Sequence, residues 1–246
     1  MAKGFDCATS LTAASADAFR RDGMDFVCRY LVPPTYPKAL TRSEAEFITK
    51  AGLNIVSVWQ IRGDLAAMTA EQGRQDGERA QQCAKEIGQP VGTCIYFAVD
   101  FDATDAQLPA VIAYIAAAAV ASPEYATGVY GSYRVVEAVR RAGACSRAWQ
   151  TYAWSGKQQS WLAQIYQYRN DIDSNGIKID LDSSYGNEGW WSLRKENEDY
   201  MMKPEDANKV ITFMKAAYEA SADPEGRDEF HRLANELRKA SGQPEE

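Results

Sequence analysis

The chain has one histidine, His231, in a charged stretch near its C-terminus. A Ser-His-Asp hydrolase or a histidine-built metal site therefore has no support. Acid–base chemistry falls to carboxylates, tyrosines or lysines. The five cysteines (Cys7, Cys28, Cys83, Cys94, Cys145) are odd in number and form no CxxC pair, so no zinc or disulfide framework follows. Cys7, Cys28 and Cys94 lie in apolar runs and read as buried thiols. Lys and Arg form no run and the formal net charge is -7. That excludes the concentrated basic surface nucleic acid needs. The longest apolar stretch, 108–121, is Ala-rich and too short to span a bilayer, so it reads as a packed helix. The opening MAKGFDCATS lacks a basic segment followed by an apolar one. No secretory signal is expected; synthesis is expected to be cytoplasmic, with any release by lysis, a phage particle or a non-signal pathway.

What is present is an alternation. The 246 residues, 46% hydrophobic and 25% charged, suit one large α/β domain with or without a small appendage. Strand-like runs fall at 3–8, 26–31, 54–60, 93–102, 127–131, 147–154, 162–169 and 177–181. Helical patterns fall at 15–22, 41–52, 69–87, 105–121 and 133–142. Thr41 reads as an N-cap with Glu44 at the capping-box position, and Gly52 and Gly88 as stops. The last two connections carry little helix. Strands separated by helices imply parallel pairing, and eight of them a compact (β/α)8 TIM-like barrel over 1–193. A doubly wound open sheet is the alternative, but no Gly-rich phosphate loop follows an early strand.

Residues 194–203 read as a linker and 204–246 as a helical hairpin. Pro204, Glu205 and Asp206 open its first helix, and Asp223-Pro224-Glu225 its second. Such a hairpin is too small to be stable alone. It is expected to dock on the barrel, on a second copy or on a protein partner.

Barrels of this type place their sites at the C-terminal strand ends. There the sequence sets Asp6, Trp59 and Gln60, Asp100 and Asp102, Tyr130, Tyr152 and Trp154, Gln167, and Asp180 and Asp182. Two residues apart on an extended strand, Asp100 and Asp102 point to one side, about 6–7 Å apart. Repulsion between them raises one pKa and keeps a proton for donation, the arrangement glycoside hydrolysis uses. Trp59, Tyr130, Tyr152 and Trp154 suit stacking on sugar faces. The structural alternatives stay open: Asp6 as a turn cap, Trp59 as rim packing, Asp180 paired with Arg29, Asp182-Ser183-Ser184 as a turn, and Gln150 and Gln167 satisfying buried backbone. A divalent ion on Asp100, Asp102 and Asp180 is the hard-oxygen alternative. No cofactor is expected.

These segments resemble a known family. GFD at Asp6, CRYL at Arg29, YFAVDFD at Asp100 and Asp102, GVYGSY at Tyr130, the AWQTYAW and IYQY strands and IDLD at Asp180 are similar, over residues 2–193, to the glycoside-hydrolase-like domain of unknown function 1906. That family is related to the family 25 glycoside hydrolases, the Chalaropsis-type lysozymes. The resemblance implies an eight-stranded barrel that acts on bacterial peptidoglycan, cutting the β-1,4 bond between N-acetylmuramic acid and N-acetylglucosamine. It implies Asp102 as general acid, and Asp100 as the group that orients the substrate N-acetyl or stabilises the intermediate. Asp6 and Asp180 would tune charge and bind sugar. Arg29, Trp59, Gln60, Tyr130, Tyr152, Trp154, Gln167 and Asp182 are the expected substrate contacts. One departure stands out: the acid of the family 25 lysozymes is Glu, and Asp102 is a methylene shorter. Misplacing a catalytic group by about 1 Å costs about 100-fold in rate. Its reference pKa is also lower, about 3.9 against about 4.3. A glycan-binding barrel without turnover, and an interaction protein of a phage or spore assembly, are the other expectations. The hairpin resembles short helical tails of some Gram-positive and phage lysins.

Overall fold

The computed structural model of the protein describes residues 1–194 and 202–244. These fall into two compact units, Met1–Leu193 and Arg194–Glu246. The linker expected at 194–203 falls largely outside the described residues.

In the first unit eight strands close into a barrel in sequence order. They are β1 (Ala2–Asp6), β2 (Phe26–Tyr30), β3 (Asn54–Trp59), β4 (Cys94–Ala98), β5 (Ala126–Gly131), β6 (Arg147–Thr151), β7 (Ile165–Ser174) and β8 (Ile177–Ser184). The first five connections carry helices α1 (Ala13–Arg21), α2 (Arg42–Lys50), α3 (Ala70–Ile87), α4 (Leu108–Ala121) and α5 (Tyr133–Arg141). Four start on a hydroxyl cap: Thr12, Thr41, Thr69 and Ser132 each accept from a backbone N–H three residues on. Glu44 departs from the expected capping box. Its carboxylate turns inward, accepting from the backbone N–H of Leu11 and from Arg29.

The pairing is mixed rather than wholly parallel. Strands β1 to β7 pair in parallel, but β8 runs antiparallel to both β7 and β1. The cause is local. Asn175 and Gly176 join β7 to β8 with positive φ at both residues (48° and 80°), the two-residue hairpin geometry that Asn-Gly favours. A two-residue turn reverses the chain, whereas a parallel return needs a longer crossover. The barrel is thus TIM-like, with its last helical returns replaced by a turn and a hairpin.

The pleat separates two cores. Phe26, Cys28, Val56, Val58, Cys94, Tyr96, Ala98, Trp149 and Ile165 pack together inside the barrel. The residues that alternate with them along the strands, among them Phe5, Val27, Ile55, Phe97, Val129 and Ala148, pack outward in a larger core with helix residues such as Phe19, Ile48, Ala84 and Ile115. All five cysteines are buried free thiols.

The second unit holds α6 (Pro204–Ala220) and α7 (Pro224–Ala240), each with proline in its first turn. Asp223 caps α7, accepting from the backbone N–H groups of Glu225 and Gly226. Among the described residues no helix is long and apolar enough to cross a membrane.

Candidate functional site

At the barrel mouth the inward-facing residues become polar. A cavity of about 290 Å³ is lined there by Asp6, Tyr30, Gln60, Asp100, Tyr130 and Gln167, with Trp149, Thr151, Trp154, Asn170 and Asp180. One hydrogen-bonded relay organises it. Tyr130 donates to Gln167 Oε1 at 2.9 Å, and Gln167 Nε2 donates to Asp6 Oδ2 at 2.7 Å and Asp180 Oδ2 at 3.2 Å. The Asp171 backbone N–H holds the other Asp180 oxygen at 2.8 Å. On the opposite side Gln60 Nε2 donates to Asp100 Oδ2 at 2.9 Å.

The carboxylates are electrostatically strained. Burial, then the facing charge of Asp180, pushes Asp6 up to about 7 from 3.8, against the lowering effect of its hydrogen bonds. Burial is also the largest cause of the raised pKa of Asp180. Asp182, fully buried one layer below the mouth, is pushed well above the carboxylate range by burial and by Asp6. Trp149 Nε1 donates to its Oδ1 at 2.8 Å, and no N–H or hydroxyl reaches its Oδ2. Burial and the charge of neighbouring Asp6 both disfavour the ionised form of Asp182.

The expected site residues divide by their side of the pleat. Asp6, Gln60, Asp100, Tyr130, Trp154, Gln167 and Asp180 line the cavity. Asp182 lies beneath it, not at a strand end, because the reversed β8 carries the chain downward from Asp180. Trp59 falls on the outward parity and is 1% exposed in the core against the helices. Arg29 is also outward and fully buried. It pairs with Glu44 at 2.7 Å, not with Asp180, and donates to the Cys7 carbonyl at 2.5 Å. Asp102 is not among the lining residues. Strand β4 ends at Ala98, and the Ala103 N–H closes a tight turn on the Phe101 carbonyl at 3.0 Å, so the two-residue alternation that serves Asp100 fails at Asp102. Strand β6 ends at Thr151, which leaves Tyr152 exposed outside the lining set. Gln150 does satisfy backbone, bonding to the Gln158 carbonyl and the Ser160 N–H.

Tyr30, Thr151 and Asn170 were not read from the sequence as site residues. The alternation Phe26-Cys28-Tyr30 carried a signal for Tyr30. Nothing local marks Asn170, which sits where the β7–β8 register shifts between Arg169 and Ile172. Its buried Oδ1 has no hydrogen-bond partner. Among the described residues no His, Cys, Asp or Glu group is arranged to hold a metal ion.

A closed eight-stranded barrel of this kind is the frame of a glycoside-hydrolase-like domain. The Rv2525c-like, glycoside hydrolase-like domain matches residues 17–185, and the chain belongs to that family. Two Bacillus subtilis (strain 168) proteins, both uncharacterized, are similar in sequence. YbfG is 30% identical over 211 residues, covering 75% of this chain and 29% of its own length. FadG is 38% identical over 102 residues, covering 40% of this chain and 18% of its own. The chain thus spans less than a third of either relative. The crystal structure of the Mycobacterium tuberculosis Tat-secreted protein Rv2525c superposes with a TM-score of 0.69 at 23% identity, over 78% of this chain and 99% of that one. That likeness bears on the fold.

Proposed function

We propose that this barrel acts on an amino-sugar polysaccharide of the bacterial cell wall, peptidoglycan, by carboxylate-based glycoside hydrolysis. The observation that carries this reading is the convergence of Asp6, Asp100 and Asp180 in one cavity, beside an exposed aromatic ring at Trp154. Hydrolysis needs a group that still holds a proton and a carboxylate that faces the positive charge developing at the anomeric carbon. The Asp6–Asp180 pair supplies the first, since burial and mutual repulsion keep a proton there close to neutrality. Asp100, exposed and oriented by Gln60, supplies the second. The test is release of reducing ends from purified peptidoglycan by the full chain, with Asp100→Asn expected to lose at least about 100-fold of the rate. Equal release by both proteins refutes the assignment.

A second reading, glycan binding without turnover, is favoured by one observation: Asp102, at the position matching the acid of the family 25 lysozymes, is not among the cavity-lining residues. It expects saturable sedimentation with peptidoglycan, lost in Trp154→Ala, with no reducing ends released.

A further inference from the structure

Trp154 belongs to two cavities. Besides the acidic mouth it lines a second one of about 580 Å³, twice as large, together with Tyr133, Arg134, Glu137, Arg141 and Gln158. A mouth of about 290 Å³ lies at the small end of ligand pockets. A polymer threaded through it needs room for its next unit.

The geometry at Trp154 is held for a purpose other than packing. Its φ is +54°, a left-handed conformation that a bulky side chain rarely adopts, yet the ring remains 47% exposed. The turn around it is pinned. Ser155 Oγ donates to the Thr151 carbonyl at 2.5 Å and accepts from the Tyr133 N–H at 2.9 Å. The Ala153 N–H reaches Thr151 Oγ1 at 3.2 Å, and the Gln158 N–H reaches the Ser155 carbonyl at 2.8 Å. Backbone strain that builds no core and presents a ring to solvent between two cavities is the form a recognition element takes.

The second cavity's chemistry selects its occupant. Its charges are balanced locally: Arg141 pairs with Glu137 at 2.7 Å, and Arg134 pairs with Asp105 at 3.2 Å. Glu137 is fixed further by Ser160 Oγ at 2.5 Å. A charge-compensated lining with several donors and a fixed acceptor, bordered by an indole face, suits a neutral ligand rich in hydroxyl and amide groups. We propose that this cavity is a subsite for a neutral N-acetylhexosamine unit of an amino-sugar chain, whose neighbouring unit occupies the Asp6–Asp100–Asp180 cavity. Trp154 is the platform common to both. The inference rests on the carbohydrate reading of the first cavity.

Calorimetric titration of the full chain with N-acetylglucosamine oligomers of two, four and six units tests it, with ligand length checked by mass spectrometry afterwards. The parent should bind the longest oligomer at least about tenfold more tightly than the shortest, about 1.4 kcal/mol. An Arg141→Ala, Gln158→Ala double variant, altered only at exposed positions, should keep the affinity for the shortest and lose the gain with length. Trp154→Ala should weaken all three, and Trp154→Phe should restore most of the loss. An undiminished gain with length in the double variant overturns the subsite, as does a parent that binds the dimer with no gain. A parent that binds no oligomer overturns the carbohydrate reading and the subsite with it.

Discussion

Asp6 at the end of β1 stands directly opposite Asp180 of β8 in the antiparallel ladder that closes the barrel. Directly opposed like charges destabilise a sheet. Here Gln167 bridges the two from the neighbouring strand, donating to both. The repulsion that remains, added to burial, is stored as raised pKa values at the cavity floor.

That storage gives a sign to the pH dependence. Asp6 titrates near 3.8 ordinarily and at about 7 when folded. A raised folded value means its contribution is fully present below about 3.8 and is lost as pH climbs through about 7. Asp6→Asn removes the titration and still accepts from Gln167. Relative to the parent it should gain stability at pH 8, up to about 4 kcal/mol for about three pK units, with little change at pH 4. Urea unfolding at pH 4, 6 and 8 measures this; a parent equally stable across that range removes the premise.

The raised pKa of Asp182 is separately visible. In an infrared pH titration, one carboxyl band should ionise later than an ordinary aspartate and should disappear in Asp182→Asn. The asparagine keeps an acceptor for Trp149, so it should fold with near-parental stability. Asp182→Leu strands the Trp149 N–H and should cost about 1–3 kcal/mol. Absence of the band in the parent contradicts the assignment.

Arg29 and Glu44 form a pair with 0% and 4% of their side chains exposed. Glu44→Ala leaves a buried guanidinium without its carboxylate and should cost about 3–5 kcal/mol. Because Arg29 is not among the cavity-lining residues, whatever ligand affinity the parent shows should persist in the folded fraction of the variant. A stability change within 1 kcal/mol, read by chemical denaturation, argues that the pair is solvated.

Helices α3 and α4 meet at Gly73, where an added Cβ lies 2.1 Å from the Tyr114 carbonyl oxygen. Contact with backbone leaves no side chain to yield, so Gly73→Ala should cost about 1–3 kcal/mol by overpacking, despite alanine's better helix propensity. A raised melting temperature in this variant is the contrary result.

The sequence by itself determined what depends on near neighbours. Alternating apolar residues set the strands, hydroxyl caps set the helix starts, and the helix expected at 105–121 is observed as a short 3-10 turn, Asp105–Gln107, running into Leu108–Ala121. Asn175-Gly176 already encoded the hairpin that reverses β8, although reading the strands as uniformly parallel passed over it. Asp6, Asp100 and Asp180 were legible as mouth residues because each lies on the inward parity of its strand. Trp59 and Arg29 are one residue off that parity, so polarity and aromatic character at a strand end pointed to the wrong face. Asp102 needed knowledge of where β4 stops and the chain turns. The tertiary structure alone decided which residues stand level at the mouth. That level is fixed by interstrand register and by the antiparallel closure of β8 on β1, contacts between residues more than 170 positions apart. Local periodicity specifies which face a side chain takes, while height in a closed sheet is a property of all eight strands together.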